Sequence, residues 1–355
     1  MASYLTRNAV LYISTAPESS INTPVTTGAN FKRVVADNPI VKIIGVEKRN
    51  DLGRAGSEWM SAQCNTYFEP TAIQIGSDVD FDAIARLALR SVGGTVVDAT
   101  VVSSVAYSHT APMLSAATSR QLPATTVVSA IEGSSASFLY SGCVVDQFTM
   151  SQTGVDIAKV QINLIGTGKH RKPHAVTSLP SAPSFACVKP FAYLSYDNGS
   201  PVDLGAGCTI KAWTVTIANN HNAANDRCTG DSSQNAGDYT ASGGASDASF
   251  NTKLLHGDRV VSGSFTIELD TIAQWTDMMA NTSITSLVLG VRGAVLDAGG
   301  PTYESLKITI ATSFFTEVQA VDVNGTACIQ VSFVASGTGT SVASVAVVNG
   351  TATMT

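Results

Sequence analysis

The sequence predicts a β-rich α+β fold made of two tandem domains, each carrying one short helix. Composition is the first reason: 14% of the 355 residues are charged and 7% are aromatic, and small or β-branched residues, which pack well on a pleated sheet, dominate. The second reason is a repeat. The stretch "GVDIAKVQINLIGTG" (154–168) is followed later by "GTACIQVSFVASGTG" (325–339), and each reads as a strand closing on Gly-Thr-Gly. A chain of this length can bury two cores.

The first half opens with strands at 40–48 and around "NTYFEPTAIQIG" (65–76). A helix is expected from "SDVDFDAIARLALR", where Ser77 and Asp80 resemble a capping box with Asp in place of the usual Glu. Its apolar stripe follows helical spacing and consists of Phe81, Ile84, Ala85 and Ala88. Two further strands are predicted at about 138–150 and 157–165.

The second half repeats that order of elements. Strands are predicted at 209–217 and at 262–270, where apolar and polar residues alternate. Asp270 is the expected N-cap of the following helix. The helix would carry an apolar face of Ile272, Trp275 and Met279. Strands at about 305–315 and 326–335 complete the half.

These elements predict a tandem organisation with three connecting segments. The predicted parts are an N-terminal arm (1–29), a first domain (30–170) with an insertion at about 95–135, a linker (171–204), a second domain (205–339) with a long loop at about 228–249, and a tail (340–355). The linker and loop are rich in Pro, Ser and Gly. The insertion is expected to add a hairpin, and the tail an edge strand here or on a neighbouring subunit.

Charge and hydropathy exclude several classes of function. The formal net charge of −6 argues against a nucleic-acid binder, which needs a basic surface, although DNA could still slide past such a protein. No apolar run approaches membrane-spanning length, and "MASYLTRNAVLYISTAP" lacks the layout of a signal peptide. We therefore expect a soluble protein made in a cytoplasm, with its six cysteines as reduced thiols rather than disulfides or zinc ligands.

The sequence contains no recognisable catalytic or cofactor-binding motif, so neither an enzyme nor a cofactor is predicted. His170 and His174 have metal-ligand spacing, but Pro173 forbids an ordinary helix there and the flanking cations would repel a metal. A solvated linker, or a contact with an acidic neighbour, is favoured. Asp78, Asp80 and Asp82 are interpreted as helix-start carboxylates rather than a calcium or catalytic site. The three tryptophans are expected to pack in cores rather than to form a carbohydrate platform.

Three stretches resemble the major tail tube proteins of long-tailed (siphovirus-like) bacteriophages. "LYSGCVVDQFTMSQTGVDIAKVQINLIGTG" (139–168) and "SLKITIATSFFTEVQAVDVNGTACIQVSFVASGTG" (305–339) are similar to the final hairpin of that family, and "VVSGSFTIELD" (260–270) resembles its strand-to-helix step. The resemblance covers about 30–170 and 205–339. Two copies in one chain resemble the duplicated-domain form of the family.

The resemblance implies β-sandwich or half-barrel domains, each flanked by one helix. It also implies a structural virion protein whose six domains, here from three chains, make a pseudo-sixfold ring that stacks into the tube for DNA ejection. Implied partners are further copies of the chain and the tape measure, baseplate and tail terminator proteins, with transient passage of DNA and no membrane. The implied location is the virion tail, after assembly in the host bacterial cytoplasm. The alternatives are another β-rich tail component, such as a baseplate or head–tail connector protein, or a β-sandwich carbohydrate-binding module.

Two groups of residues are candidates for roles in such a tube. Polar strand residues that could line the lumen, or equally face outside solvent, are Gln161, Asn163, Glu268, Gln330 and Ser332. Basic linker residues that could contact other subunits or rings are Lys169, Arg171 and Lys172. The linker, the 228–249 loop and the tail are further candidates for contacts between rings or for surface display.

Overall fold

A computed structural model of the chain describes residues 9–36, 40–42, 46–50, 64–68, 71–115, 119–131, 137–167, 172–173, 180, 192–197, 201–203, 210–221, 254–270, 272–337 and 342–354. Strands account for 62% of the structure, and the described residues contain only two α-helices, which confirms the predicted β-rich class. The long loop predicted at 228–249 lies outside the described residues.

The elements up to residue 173 are eleven strands longer than two residues, one two-residue strand and one helix. In chain order they are β1 (Ala9–Ser14), β2 (Phe31–Val34), β3 (Ile40–Lys42), β4 (Val46–Asn50), β5 (Cys64–Phe68), β6 (Thr71–Asp78), α1 (Ala83–Val92), β7 (Val97–Val102), β8 (Ala106–Pro112), β9 (Thr125–Ile131), β10 (Ser137–Thr153), β11 (Lys159–Gly166) and β12 (Lys172–Pro173). A 3₁₀ turn, Gly28–Asn30, precedes β2.

The described part of the second half has eight strands and one helix. They are β13 (Ala192–Asp197), β14 (Pro201–Asp203), β15 (Ile210–Ala218), β16 (Val260–Glu268), α2 (Ala273–Met279), β17 (Ile284–Asp297), β18 (Thr302–Val323), β19 (Thr326–Ala335) and β20 (Ala343–Asn349). Apart from the β4–β5 pair, the strands belong to one open, branched sheet.

Eight of these strands lie side by side in the order β3–β6–β11–β10–β15–β16–β19–β18, and every neighbouring pair is antiparallel. We call this run the eight-stranded sheet. Side chains alternate between its two faces: in β11, Val160, Ile162 and Leu164 are buried, whereas Lys159 and Gln161 are exposed. One face is therefore apolar and the other polar.

A second layer covers the apolar face, because β10 and β18 are long enough to belong to both layers. The N-terminal part of β10 pairs with β9 and β12, and β9 continues to β1 and β2. The N-terminal part of β18 pairs with β17 and β20, which continue to β13–β14 and to β8–β7. One large core cluster contains residues of both layers, such as Leu11, Ile162, Phe265 and Ile308.

The same set of ladders occurs in both halves of the chain. The ladders β1–β2, β1–β9, β9–β10, β10–β12, β10–β11, β11–β6 and β6–β3 recur as β13–β14, β13–β17, β17–β18, β18–β20, β18–β19, β19–β16 and β16–β15. The β4–β5 and β7–β8 hairpins have no described counterpart in the second half. The β10–β15 ladder joins the two sets.

A shared β-bulge relates the two sets residue by residue. The bulge lies between Val145 and Gln147 in β10, and between Phe315 and Glu317 in β18. Phe148 therefore corresponds to Val318, and their ladder partners Ile162 and Val331 correspond as well. Both helices begin five residues after the strand before them, at Ala83 and at Ala273, which agrees with this correspondence.

Paired strands occupy segments that the sequence indicated as arm, linker and tail. β1 lies in 1–29, β12, β13 and β14 lie in 171–204, and β20 lies in 340–355. The tail strand β20 is not at an edge, because β18 and β8 flank it. The insertion at 95–135 supplies the expected hairpin, β7–β8, together with β9.

The helix starts differ from the predicted caps. Ser77 lies within β6 and donates to the Val35 carbonyl, so no capping box forms. Asp80 alone accepts from the backbone N–H groups of Asp82 (2.8 Å) and Ile84 (3.2 Å). The N-cap of α2 is Ile272, without a side-chain cap, rather than Asp270. The residues of α1 are all buried, whereas the apolar face of α2 is exposed.

Candidate functional site: the polar face of the eight-stranded sheet

The polar face of the eight-stranded sheet is a surface to which both halves of the chain contribute. One row of register partners crosses seven strands of it: Asp78, Lys159, Ser151, Thr214, Ser264, Ser332 and Glu317. Partners in an antiparallel ladder point to the same side of the sheet. The row therefore shows that the polar sides of both halves form one continuous surface, which we call the polar face.

All five residues predicted as polar lining lie on this face. Gln161 is the register partner of Thr149, and Asn163 is the partner of Gln147. In the second half, the register partners are Gln330 with Thr266, Ser332 with Ser264, and Glu268 with Cys328. The sequence predicted these residues one strand at a time, and the structure brings them onto one side of one sheet.

Neutral side chains on the polar face bond to one another across strands. The Asn163 amide donates to the Gln147 carbonyl oxygen at 3.3 Å, and the Gln147 amide donates to the Thr149 hydroxyl at 3.2 Å. The Thr149 and Thr216 hydroxyls are 3.1 Å apart across the β10–β15 ladder. Amide and hydroxyl groups that bond in this way present a polar surface without net charge.

Two lysines at this face, Lys159 and Lys211, lie against carboxylates. Lys159 Nζ is 2.5 Å from Asp78 Oδ1, and Lys211 Nζ is 2.5 Å from Glu268 Oε1. Pairs as exposed as these add little to stability. Their effect is on the surface potential, because each lysine charge has a neutralising neighbour. Glu317 lies in the same row, and the register places Lys42 of β3 on the same side of the sheet. The formal charges on the described part of the face therefore balance.

The two edges of the eight-stranded sheet are a structural feature that sequence reasoning missed. At one end, β3 pairs within the described chain only with β6. At the other end, the described C-terminal part of β18 pairs only with β19. The order of ladders creates these edges, and no local sequence signal marks them. An unpaired strand edge is a template for another strand.

The remaining candidate residues are held apart from one another. Among Asp78, Asp80 and Asp82, the first pairs with Lys159, the second caps α1, and the third lies 2.7 Å from Lys32 and 3.0 Å from Arg86. Within the described residues, no group of three metal-binding side chains was found. Lys169, Arg171, His170 and His174 lie outside those residues, and Lys172 contributes its backbone to β12.

The described histidines have structural partners. His109 lies buried in β8, and its ring nitrogens are 2.6 Å from Asp98 Oδ1 and 3.1 Å from Asn349 Oδ1. His221 bonds to Asp146. Although burial would raise the pKa of the Asp146 carboxyl, hydrogen bonds from His221 hold that pKa below its ordinary value.

Cysteines and tryptophans fit the predictions only in part. Cys143 and Cys328 are buried free thiols, whereas no side-chain description covers Cys64, Cys187, Cys208 and Cys228. Trp213 is in the core and donates to Gln152 at 3.2 Å. Trp275 is partly exposed on α2, so the core prediction is wrong for it. Trp59 lies outside the described residues.

Comparisons with known proteins point to one family. A family model described as "Phage tail tube protein" matches residues 20–296. No curated protein matches the sequence. One solved structure, of apo MrkH from K. pneumonia, is 10% identical, covers 71% of this chain and 83% of its own, and has a TM-score of 0.15, which is too low to indicate a shared fold. Within the described residues, no helix is long and apolar enough to cross a membrane.

Proposed function

This chain belongs to the phage tail tube protein family, and from that premise we propose that it is a duplicated-domain tube subunit of a long-tailed phage. Three copies would form a ring of six equivalent units, and stacked rings would form the conduit through which DNA is ejected. Its partners would be further copies of itself along the tube, and tape measure, baseplate and terminator proteins inside and at the ends.

The β10–β15 ladder is the observation that carries this proposal. In the order of the eight-stranded sheet, it joins β10, the last strand of the first half, to β15, the first strand of the second half. The corresponding strands at the two free edges are β18 and β3. Repeating the internal junction between copies would pair β18 of one copy with β3 of the next. Such a head-to-tail contact generates a ring when the rotation closes, and closure removes both free edges of the eight-stranded sheet.

The repeated ladders also support a duplication. They extend the proposed units to 9–173 and 192–349, wider than the sequence indicated, because β1, β2 and β12 correspond to β13, β14 and β20. A duplicated chain fills two of six equivalent places. One of those places can then carry the β4–β5 and β7–β8 hairpins, which have no described counterpart in the other.

The internal junction specifies a register for the junction between copies. Within the chain, Thr149 pairs with Thr216. Thr149 corresponds to Gln319, one residue after Val318. Thr216 corresponds to Lys42, because Ala72 pairs with Lys42 as Ser262 pairs with Thr216. The proposed register therefore places Gln319 of one copy opposite Lys42 of the next.

Strand numbers favour the polar face as the lining of the lumen. The covering layer contains β2, β1, β9, β10 and β12 in one half, and β14, β13, β17, β18, β20, β8 and β7 in the other. This layer has more strands than the eight-stranded sheet, and strands have a nearly constant spacing. The wider layer fits the outer circumference, which leaves the polar face inside.

The resulting bore suits DNA passage. Three copies of an eight-stranded sheet, with strands about 4.8 Å apart, close into a barrel with a backbone diameter of roughly 37 Å before strand tilt is added. The described lining has many neutral side chains, and two of its lysines, Lys159 and Lys211, are paired with carboxylates. Such a surface displaces few counterions from DNA, so it would let DNA pass without retaining it.

The test combines electron microscopy with cross-linking at the proposed register. Purified wild-type protein is expected to form rings with threefold symmetry, or tubes. In a Lys42→Cys/Gln319→Cys variant, oxidation should yield covalent dimers and trimers on a non-reducing gel and nothing larger. Val41→Cys/Gln319→Cys, whose cysteines would lie on opposite faces, is the matched control and should remain uncross-linked.

The outcomes separate the parts of the proposal. A wild-type protein that forms neither rings nor tubes at any concentration would contradict the tube role. If rings form and the gel shows covalent oligomers up to hexamers, the tube role stands and the three-copy ring is rejected. Cross-linking of the control in place of the Lys42/Gln319 pair would reject the register.

A further inference from the structure

The apolar face of α2 is uncovered. Ile272, Trp275 and Met279 are 69%, 42% and 75% exposed, and their spacing places them on one side of the helix. A grouped Trp, Met and Ile on a helix surface is typical of an interaction site.

The corresponding face of α1 is buried. Since Ala83 corresponds to Ala273, Trp275 corresponds to Ala85 and Met279 to Leu89, and both of these residues are inaccessible to solvent. The difference lies in what covers each helix. α1 lies against β2, β8 and β10 of its own unit and against β20 of the second unit, whereas the main neighbour of α2 is β18 of its own unit.

The second unit covers α1. β20 lies against the helix, and the Asn349 amide donates to the Phe81 carbonyl at 2.6 Å. The Phe81 ring lies so close to Gly293 of β17 that a Cβ there would be 2.3 Å from it. At the C-terminal end of α1, Arg259 donates to the Ser91 carbonyl at 2.7 Å. The helix thus fills the joint between the two units beside the β10–β15 ladder.

We propose that α2 fills the corresponding joint between copies, with Ile272, Trp275 and Met279 docked on the first unit of the next copy in the ring. This inference rests on the proposed function. The receiving surface is the layer of β9, β10 and β12, which corresponds to the layer of β17, β18 and β20, whose strand β20 lies against α1. The occupant is a second copy of this chain, because the chain itself carries the surface that matches.

A second exposed apolar residue lies on the receiving layer. Phe138 of β10 is 38% exposed, whereas Ile308, at the corresponding position of β18, is fully buried. Phe138 precedes Phe148 by the same interval as Ile308 precedes Val318. Both sides of the proposed joint therefore leave apolar side chains in solvent, while their counterparts at the internal joint are covered.

The experiment compares ring formation by wild type, Trp275→Glu/Met279→Glu and Phe138→Glu. Placing a carboxylate in a desolvated apolar contact opposes association. Either variant should raise the concentration at which rings form by about tenfold or more. Sedimentation velocity and negative-stain microscopy provide the readout. Unchanged circular dichroism and an unchanged melting temperature of the monomer show that each variant folds.

Val97→Glu/Val101→Glu is the matched control, because both valines are exposed on the edge strand β7, away from the proposed joint. It should form rings as wild type does. Trp275 fluorescence gives a second measurement, since its emission should shift to shorter wavelength on assembly and the shift should be absent from Trp275→Phe.

If Trp275→Glu/Met279→Glu forms rings at the wild-type concentration, this inference is wrong while the tube role stands. If wild type itself forms no rings, the proposed function fails and the inference fails with it.

Discussion

Asp80 is a carboxylate that the fold buries at the start of α1. Burial raises its pKa to about 6, although the N–H groups of Asp82 and Ile84 that bond to it act in the opposite direction. Burial also lowers the pKa of Arg90, in the same helix, to about 9. The sequence indicated a helix-start carboxylate, but only packing around α1 could determine how much water reaches it.

Asp80→Asn should change how stability depends on pH. A raised carboxyl pKa means that the folded state holds the proton more tightly than the unfolded state does. The associated stability is present below about pH 4 and is lost as pH rises through about 6. For a shift from 3.8 to about 6, the loss approaches about 3 kcal/mol. Asparagine keeps an oxygen for capping and does not ionise. The free energy of unfolding of Asp80→Asn should therefore fall less than that of wild type as the pH rises through about 6.

Urea unfolding at pH 4 and pH 6.5 measures the difference. Asp156→Asn, in the β10–β11 turn, removes one carboxylate elsewhere and should follow wild type. Identical pH dependence in wild type and Asp80→Asn would show that the buried carboxyl does not control stability in this range.

At the level of elements, the sequence match and the strand ladders align the two halves of the chain differently. The sequence match aligns Val160 with Val331, whereas the ladders align Ile162 with Val331. The two alignments differ by two residues. Because strand side chains alternate with a period of two, this shift keeps every residue on the same face. Periodicity therefore predicted the faces correctly, and ladder partners fixed the register.

Two glycines with positive φ differ in what surrounds them. Gly325 (φ +81°) follows Asn324 (φ +53°) in the two-residue turn between β18 and β19, which is the geometry of a type I′ hairpin. Nothing lies within 4 Å of a Cβ added there. Gly142 (φ +65°) lies where β10 passes between the layers, and an added Cβ would be 2.6 Å from Asn22 Oδ1 and from Thr167 Oγ1.

Alanine at these positions should separate conformational strain from steric conflict. Gly325→Ala should lower the free energy of unfolding by about 1 kcal/mol, the cost of the left-handed conformation. Gly142→Ala bears the same cost and must also displace Asn22 and Thr167, so we expect at least about twice that loss. Chemical denaturation of both variants tests this, and equal losses would contradict the steric argument.

For the whole molecule, the position of the polar face relative to the tube wall is the main prediction. Gln161→Cys places a thiol on the polar face, whereas Val97→Cys places one on β7 of the covering layer. In assembled tubes, a small biotin maleimide should label both. Streptavidin should then bind along tubes carrying Cys at 97, but only at the ends of tubes carrying Cys at 161, because it is too large to enter the bore.

Electron microscopy of streptavidin-decorated tubes provides the readout. Dissociating the tubes after labelling is the control, and it should make both biotins accessible. Streptavidin bound along the whole length of tubes carrying Cys at 161 would place the polar face outside and would require a different lining.

The sequence by itself determined the features that depend on neighbours along the chain. Alternation in β11 and β16 predicted strands and their polar sides, and helical spacing predicted α1 and α2. The order of elements carried the family resemblance, and the family model then established membership. These features are local, because side-chain direction repeats every two residues in a strand and about every 3.6 in a helix.

Tertiary structure alone decided the features that depend on distant partners. It placed β1 and β20 within the sheet, joined the two sets of ladders through β10 and β15, and left β3 and β18 at the edges. It also buried α1 while leaving Trp275 in solvent, although both helices have an apolar stripe. The physical reason is that burial and strand pairing require contact between residues far apart in the chain, and a local pattern specifies a face without specifying what will cover it.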